Sequence, residues 1–131
     1  MEISLHEDMH KYMCIRLSGF LEQLMFTSIS GYVGGSGWGG SQNFALSFFR
    51  KAPNLGPGAL EALIGRFGDP WESEISHFLD QDERRNSLGK LIEIRNKVAH
   101  GESYRGGQFS VATYKKLVDD LHAWVVARML P

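Results

Sequence analysis

A segment near the N-terminus that is apolar on nearly every side of a helix most constrains how this chain can fold. From Tyr12 onward, residues 5–30 place apolar side chains at nearly every angle of a helical wheel, as in CIRLSGFLEQLMFTSISGYV. Such a helix has to be covered on more than one side, so we expect a central or interface helix here. Arg16 and Glu22 interrupt the run, which therefore lacks the roughly 18 uncharged residues of a membrane span.

The length and the cysteine content narrow the class of protein. The chain has 131 residues, enough for one domain with its own core, and we expect residues 1–131 to form a single helical domain. The single cysteine, Cys14, excludes an internal disulfide framework and is typical of a reducing cytoplasm. The opening residues MEISLHEDMHKY lack the basic and apolar regions of a secretory signal. We therefore expect a cytoplasmic protein without a membrane segment.

The rest of the chain reads as a series of helices. We expect the first helix to stop at the glycine-rich segment GYVGGSGWGG, which should be irregular, and a short helix capped by Ser41 to follow at residues 42–51. Three further helices are predicted. The first is ALEALIGRFG, and the second has Asp69 as its N-cap and Pro70 as its first residue. The third covers residues 82–100 and ends before Gly101. Ser110 should cap the last helix, with a stripe of apolar residues at Val111, Tyr114, Leu117, Leu121, Trp124 and Val125. No useful stretch alternates with period two, so the predicted fold is an all-α, up-and-down bundle of four to five helices with a glycine-rich connector.

A cation lies on the apolar side of the helix that contains LIEIRNKVAHGESY. On a helical wheel, Arg95 falls inside the arc of Leu88, Leu91, Ile92, Ile94, Val98 and Ala99. A buried guanidinium is costly without a carboxylate, a subunit interface or a phosphate to pair with. Asn96 and His100 are four residues apart and share an edge, whereas Arg95 and His100 diverge by about 140°.

The small net charge hides an uneven distribution. Residues 84–116 carry eight Lys or Arg and two acids, a local charge of +6, while the rest of the chain carries −7. A polyanion could bind the basic part by local attraction, although solvated helix faces explain the same charges equally well.

Two other motifs match patterns of known sites, but their contexts do not. HEDMH at residues 6–10 has the histidine spacing of a zinc protease, without a preceding sheet or an evident third ligand. GSGWGG at residues 35–40 spells the dinucleotide-binding pattern but follows a predicted helix and not a strand. We interpret both as chance matches, and Cys14 as a buried structural thiol. No metal site and no cofactor are predicted.

The combination RNKVAH followed by Gly101, inside LIEIRNKVAHG and before a closing amphipathic helix, resembles the motif of the HEPN superfamily of helical-bundle proteins. In that family an arginine precedes a histidine by four to six residues near the end of a bundle helix, often with an asparagine directly after the arginine. The order of a long apolar helix, variable short helices, a motif helix and a closing helix is similar too. The resemblance covers most of the chain in architecture and residues 91–101 in motif.

The resemblance implies a metal-independent endoribonuclease of the toxin or antiphage type, which acts as a homodimer with two motifs facing each other. RNA brings its own nucleophile, the 2′-hydroxyl, so attack would leave a 2′,3′-cyclic phosphate. The protein then has to supply proton transfer near neutral pH and a cation for the phosphorane. His100 suits the first role and Arg95 the second, with Asn96 as a positioning group. An antitoxin or defence-system partner is a further expectation from the family.

Additional contacts follow from position and charge. Glu22 is the only acid between Tyr12 and Val33, and we predict that it pairs with Arg95. Family members silenced by a nucleotidyltransferase carry a tyrosine two residues after the histidine, where this chain has Glu102, so silencing of that kind is not expected. The predicted RNA contacts are Lys97, Arg105, Arg84, Arg85 and, by stacking, Tyr104.

Two other functions are compatible with the same residues. The first is a HEPN-like module that binds RNA, a nucleotide or a protein and does not cleave. The second is a helical bundle with no nucleic-acid partner, which predicts no salt-dependent retention of RNA.

Overall fold

The computed structural model describes residues 2–36, 55–102 and 109–130, with side chains in the first helix described from Asp8 to Val33. These ranges contain five helices and no strand, so the predicted all-helical class is confirmed for them. The helices are α1 (Glu2–Ser36), α2 (Pro57–Gly65), α3 (Trp71–Leu79), α4 (Arg84–Ala99) and α5 (Val111–Met129).

α4 packs against each of the other four described helices, whereas α1 packs against α4 and α5. Contacts between aromatic rings join His10 to Tyr114 and Phe20 to His122, so α1 and α5 run in the same direction. α4 runs opposite to both. Its first residue, Arg84, pairs with Asp120 far along α5, while residues near its end pack with Cys14 and Tyr114.

One apolar core draws residues from all five helices. It includes Leu21 and Met25 of α1 and Leu121 of α5, together with residues of the three intervening helices. A smaller cluster lies toward the N-terminal part of α1 and contains Cys14, Leu91, Ile94, Tyr114 and Val118. The predicted stripe of α5 faces these cores, since every member from Tyr114 onward is buried. The apolar burial supplies the main driving force for assembling the helices.

Two predicted helix ends are confirmed. The Ser110 hydroxyl accepts a hydrogen bond from the backbone N–H of Thr113 at 3.2 Å, which caps the first turn of α5. Gly101 follows α4 with φ +71°, a left-handed conformation that glycine adopts without steric cost. The start of α5 and the end of α4 therefore each depend on one local residue that the sequence identifies.

Other predicted boundaries shift. The expected break at Gly31 is wrong, because α1 continues to Ser36 and its Tyr32 packs against Phe67 and Trp71, with ring centroids 5.6 and 5.2 Å away. This packing outweighs the low helix propensity of glycine. The remaining part of the glycine-rich connector and the predicted helix at 42–51 lie outside the described residues.

The helix after Asp69 also begins one residue later than predicted, at Trp71 instead of Pro70. The Asp69 carboxylate nevertheless accepts hydrogen bonds from the backbone N–H and the hydroxyl of Ser73, at 3.1 and 2.7 Å. The side chain therefore stabilises the first turn, from one position further out than the sequence pattern suggests.

None of the helices in the described ranges combines the length and the apolar character that crossing a bilayer requires.

Candidate functional site at the end of α4

Arg95 lies on the side of α4 that faces α1. Its Nη2 atom is 3.3 Å from Oε1 of Glu22, so the two side chains form the ion pair that the sequence suggests. Nη1 also donates to the Oδ1 atom of Asn96 at 3.5 Å. The Arg95 side chain is 29% exposed, and Glu22 is 27% exposed. The guanidinium is therefore neutralised on one side and still reachable from solvent on the other.

The protonation of Glu22 reflects two opposing effects. Burial between α1 and α4 raises the pKa of the Glu22 carboxyl, and the nearby Arg95 charge lowers it, with burial the larger effect. The pKa therefore lies above its ordinary value although a cation is 3.3 Å away. A carboxylate held in this way is more costly to charge than one on the open surface.

His100 occupies the end of α4. Three backbone hydrogen bonds hold this turn: His100 N–H donates to the Asn96 carbonyl, Gly101 N–H to Val98 and Glu102 N–H to Lys97, at 3.0, 3.1 and 2.8 Å. The last two form a Schellman motif, which fixes the chain direction after the helix. The His100 side chain itself is exposed and makes no hydrogen bond or ion pair with the residues that the structure describes. A fixed backbone thus presents an imidazole to solvent.

The neighbouring charges on α4 are partly compensated. Lys97 and Lys90 both pair with Glu93, each with an N–O distance of 3.2 Å. Lys97 is 40% exposed and lies three residues before His100, so it can still contact a polyanion beside the motif. Glu93 therefore compensates part of the positive charge of these two lysines.

Arg84 and Arg85 lie at the opposite end of α4. Arg84 pairs with Asp120 at 3.2 Å and stacks over the ring of Phe78, with 4.1 Å between the guanidinium carbon and the ring centroid. Arg85 forms two hydrogen bonds with Glu61 and one with Asp80 at 2.9 Å. At 1.5 Å per residue, the 15 residues from Arg85 to His100 span about 22 Å.

These two arginines connect α4 to neighbouring parts of the bundle, and the structure does not bring them to the motif of the same chain. The hydrogen bond from Arg85 lowers the pKa of Glu61, and the hydrogen bonds from Lys116 and Arg84 lower the pKa of Asp120. Both side chains are therefore held as carboxylates. We therefore leave Arg84 and Arg85 out of the candidate site. Tyr104 and Arg105, the other predicted contacts after the motif, lie outside the described residues.

Within the HEDMH segment, His10 contributes to the packing of α1 against α5. Nε2 of His10 is 3.2 Å from the carbonyl of Phe109, and its Nδ1 is 3.8 Å from the sulfur of Cys14. Burial raises the pKa of the Cys14 thiol to about 11, so the thiol is protonated at neutral pH, as expected for a structural cysteine. Within the described ranges, no three His, Cys, Asp or Glu side chains are grouped to hold a metal ion.

An exposed apolar surface lies next to the site, on the helix that the sequence predicts to be central or at an interface. Tyr12, Ile15 and Phe26 on α1 are exposed, and Glu22 lies along the same helix at the edge that faces Arg95. The signal was present, because apolar residues all round a helix imply that one apolar side stays outside the core of the single chain.

Neither a family model, nor a curated protein, nor a solved structure matches the chain.

Proposed function

We propose that this protein is a metal-independent endoribonuclease of the HEPN type, with the reaction centred on Arg95, Asn96 and His100. The observation that supports the proposal is the exposed imidazole of His100 on the fixed turn that ends α4. It follows, about one and a half turns later, a partly exposed arginine that has its own counter-ion. The placement provides a proton carrier and a cation on one helix end without a carboxylate cluster.

The proposed chemistry is transesterification within RNA. A histidine accepts the proton of a 2′-hydroxyl, the oxygen attacks the adjacent phosphorus, and the bond to the 5′-oxygen breaks. The leaving oxygen takes up a proton, so the products are a 2′,3′-cyclic phosphate and a 5′-hydroxyl. Arg95 stabilises the phosphorane by charge and by its planar set of donors. Asn96 positions the guanidinium, because its Oδ1 atom already accepts from Arg95.

The wider setting is part of the same proposal. The active form is a homodimer in the cytoplasm, acting as a toxin or an antiphage effector, and an antitoxin or defence-system partner restrains it. Lys97, with Arg105 and Tyr104 after the motif, would contact the RNA beside the scissile phosphate. No cofactor is needed, since RNA supplies the nucleophile.

The test is a cleavage assay on total tRNA and a structured mRNA with EDTA present. The wild type should produce 2′,3′-cyclic phosphate ends, and His100→Ala and Arg95→Ala should each lose at least about 100-fold in rate, the usual effect of removing general acid–base or electrostatic stabilisation. His77→Ala is the matched control, because His77 is also exposed but lies on α3, where it contacts Gln81. Equal rates in all four proteins would contradict the proposal.

A second function has its own support. Arg95 is already engaged by Glu22 and Asn96, as expected for a residue that joins α4 to α1 in a binding module. That module would retain RNA in a salt-dependent manner without producing cyclic phosphate ends. Retention without cleavage in the same assay would select this function, and the absence of both would select a bundle without a nucleic-acid partner.

A further inference from the structure

A groove runs along the outward side of α4. Its volume is about 590 Å³, within the roughly 300–1,000 Å³ of ligand-binding clefts. The groove is lined by residues that include Arg85, Asn86, Gly89, Lys90, Glu93 and Phe109. Phe109 precedes α5, so this α4 groove lies between α4 and the chain that enters the last helix.

The α4 groove leads toward His100. At 100° per residue, an arc of about 80° on the side of α4 away from α1 contains Asn86, Lys90, Glu93, Lys97 and His100. The 14 residues from Asn86 to His100 extend over about 21 Å of helix. A nucleic-acid strand that leaves the imidazole in the direction away from α1 therefore enters the groove.

The charges that line the groove balance each other. Arg85 and Lys90 are matched by Glu83 and Glu93. Lys90 shares Glu93 with Lys97, and all three side chains are partly exposed. Exposed ion pairs of this kind contribute little to stability, so a phosphate group can replace Glu93 as the partner of either lysine. Charge alone nevertheless does not hold a polyanion in a balanced groove.

Phe109 supplies an aromatic surface. Its side chain is half-buried, and its ring contacts that of Tyr114 with 5.9 Å between centroids, so the ring has a fixed position at the edge of the groove. A ring fixed near basic side chains is an arrangement on which an unpaired base stacks while its phosphate is neutralised. Stacking therefore adds the affinity that balanced charges lack.

Two other residues leave space and hydrogen-bonding groups for a base. A Cβ atom added to Gly89 would meet, among the described residues, only Pro57, at 3.9 Å. Glycine lowers the stability of a helix interior, but it lets a ligand approach the backbone closely. The exposed amide of Asn86 makes no hydrogen bond with the residues that the structure describes. It offers both a donor and an acceptor to the edge of a base.

We infer that the α4 groove binds the unpaired nucleotides next to the scissile phosphate, with a base on Phe109 and phosphates on Lys90 and Lys97. That the ligand is RNA rests on the proposed function, whereas the position of the strand and its unpaired state are additional. A base has to leave its pair to reach a ring at the edge of a helix, so a continuous duplex does not fit the groove.

The first test is fluorescence anisotropy with a labelled 2′-O-methyl RNA of about 12 nucleotides, within the usual site sizes of single-strand binding proteins. This RNA has no free 2′-hydroxyl and therefore cannot be cleaved. The wild type should bind the single strand at least about 10-fold more tightly than the same strand in a duplex, because only unpaired bases can stack on a protein ring.

Two substitutions at Gly89 test the groove itself. Gly89→Trp should weaken binding of the single strand about 10-fold, because the indole fills the space of the base. Gly89→Ala is the matched control and should leave the affinity unchanged, since one methyl group keeps the groove open. Far-ultraviolet circular dichroism checks the folding of each variant.

The second test is the salt dependence of binding. Removing one phosphate contact lowers the slope of log affinity against log salt concentration by about 0.7 for a single strand. Lys90→Ala should show this decrease. Lys115→Ala should not, because Lys115 forms a similar exposed pair with Asp119 on α5 but does not line the groove.

Three results would overturn the inference: equal affinity for single strand and duplex, full affinity of a folded Gly89→Trp, or a wild type that binds neither RNA. If Gly89→Trp does not fold, an unchanged salt slope in Lys90→Ala is sufficient to overturn it.

The outcomes also separate this inference from the proposed function, because the 2′-O-methyl RNA is never cleaved. Cleavage of natural RNA together with binding that ignores the groove substitutions would leave the nuclease and exclude the groove. Groove-dependent binding without cyclic phosphate ends would retain the groove in a module that binds RNA and does not cut it.

Discussion

The ion pair of Arg95 and Glu22 joins two helices and still leaves both side chains partly accessible to solvent. The pair joins α4 to α1 at a point where both side chains keep about a quarter of their surface in water. A fully buried pair would have no contact with a ligand, and a fully exposed pair would contribute little to stability. The intermediate position places Arg95 beside an apolar core and leaves part of its guanidinium accessible from solvent.

The first prediction concerns the pH dependence that Glu22 contributes. Its pKa in the folded chain is raised by burial above the ordinary 4.5, so the folded state binds the proton more tightly than the unfolded state. The contribution to stability is fully present below that ordinary pKa and is lost as pH rises through the folded pKa. Glu22→Gln removes this loss, so the free energy of unfolding of the variant should rise relative to that of the wild type as the pH increases above the ordinary pKa of 4.5.

Urea unfolding of both proteins at several pH values measures this difference. Gln23→Glu serves as the control, because it places a carboxyl on the exposed side of the same helix. A difference between Glu22→Gln and wild type that shrinks with rising pH would show that attraction to Arg95, and not burial, dominates.

The sequence could predict an ion pair only where few candidate partners were present. Glu22 could be named because no other acid lies on its stretch of α1. The pairs of Arg84 with Asp120 and of Arg85 with Glu61 could not be named, since they form between residues 36 and 24 positions apart that meet through tertiary packing. Two of the basic residues that the sequence predicts to contact RNA, Arg84 and Arg85, therefore connect α4 to other parts of the bundle.

At the scale of the elements, the two ends of α4 are held by different means. Its first turn depends on the long-range pairs of Arg84 and Arg85, while its last turn depends on the local Schellman motif at Gly101. The local end was predicted from sequence because a left-handed glycine has a recognisable position after a helix. The end of α1 was not, because the aromatic contacts of Tyr32 that extend the helix past Gly31 involve residues about 35 to 40 positions away.

The second prediction tests the turn that presents His100. Gly101→Ala forces an L side chain into φ +71°, where no neighbouring atom interferes, so the cost is backbone strain of about 1–2 kcal/mol in the free energy of unfolding. Gly101→Asn should cost clearly less, because asparagine tolerates the left-handed region. Denaturant titrations of the three proteins give the values, and equal losses for alanine and asparagine would show that strain is not the cause.

At the scale of the whole molecule, the shared core determines how the chain unfolds. Leu121 is fully buried in a core that contains residues of all five helices, whereas Leu130 is 51% exposed after α5. We predict that Leu121→Ala lowers the free energy of unfolding by about 2–5 kcal/mol, and that Leu130→Ala changes it by less than about 0.5 kcal/mol. Circular dichroism and tryptophan fluorescence should show a single, coincident transition. Two separated transitions would contradict the prediction that residues 1–131 form one domain.

The contact between α1 and α5 also sets the order in which the molecule can be made. His10 meets the carbonyl of Phe109 across 99 positions of sequence, and the two helices run side by side from there. During translation, the sides of α1 and α4 that α5 covers therefore stay exposed until α5 has left the ribosome. Contacts this distant in sequence cannot form between neighbouring helices as each is made, so we expect this core to close only after both of its distant parts have been synthesised.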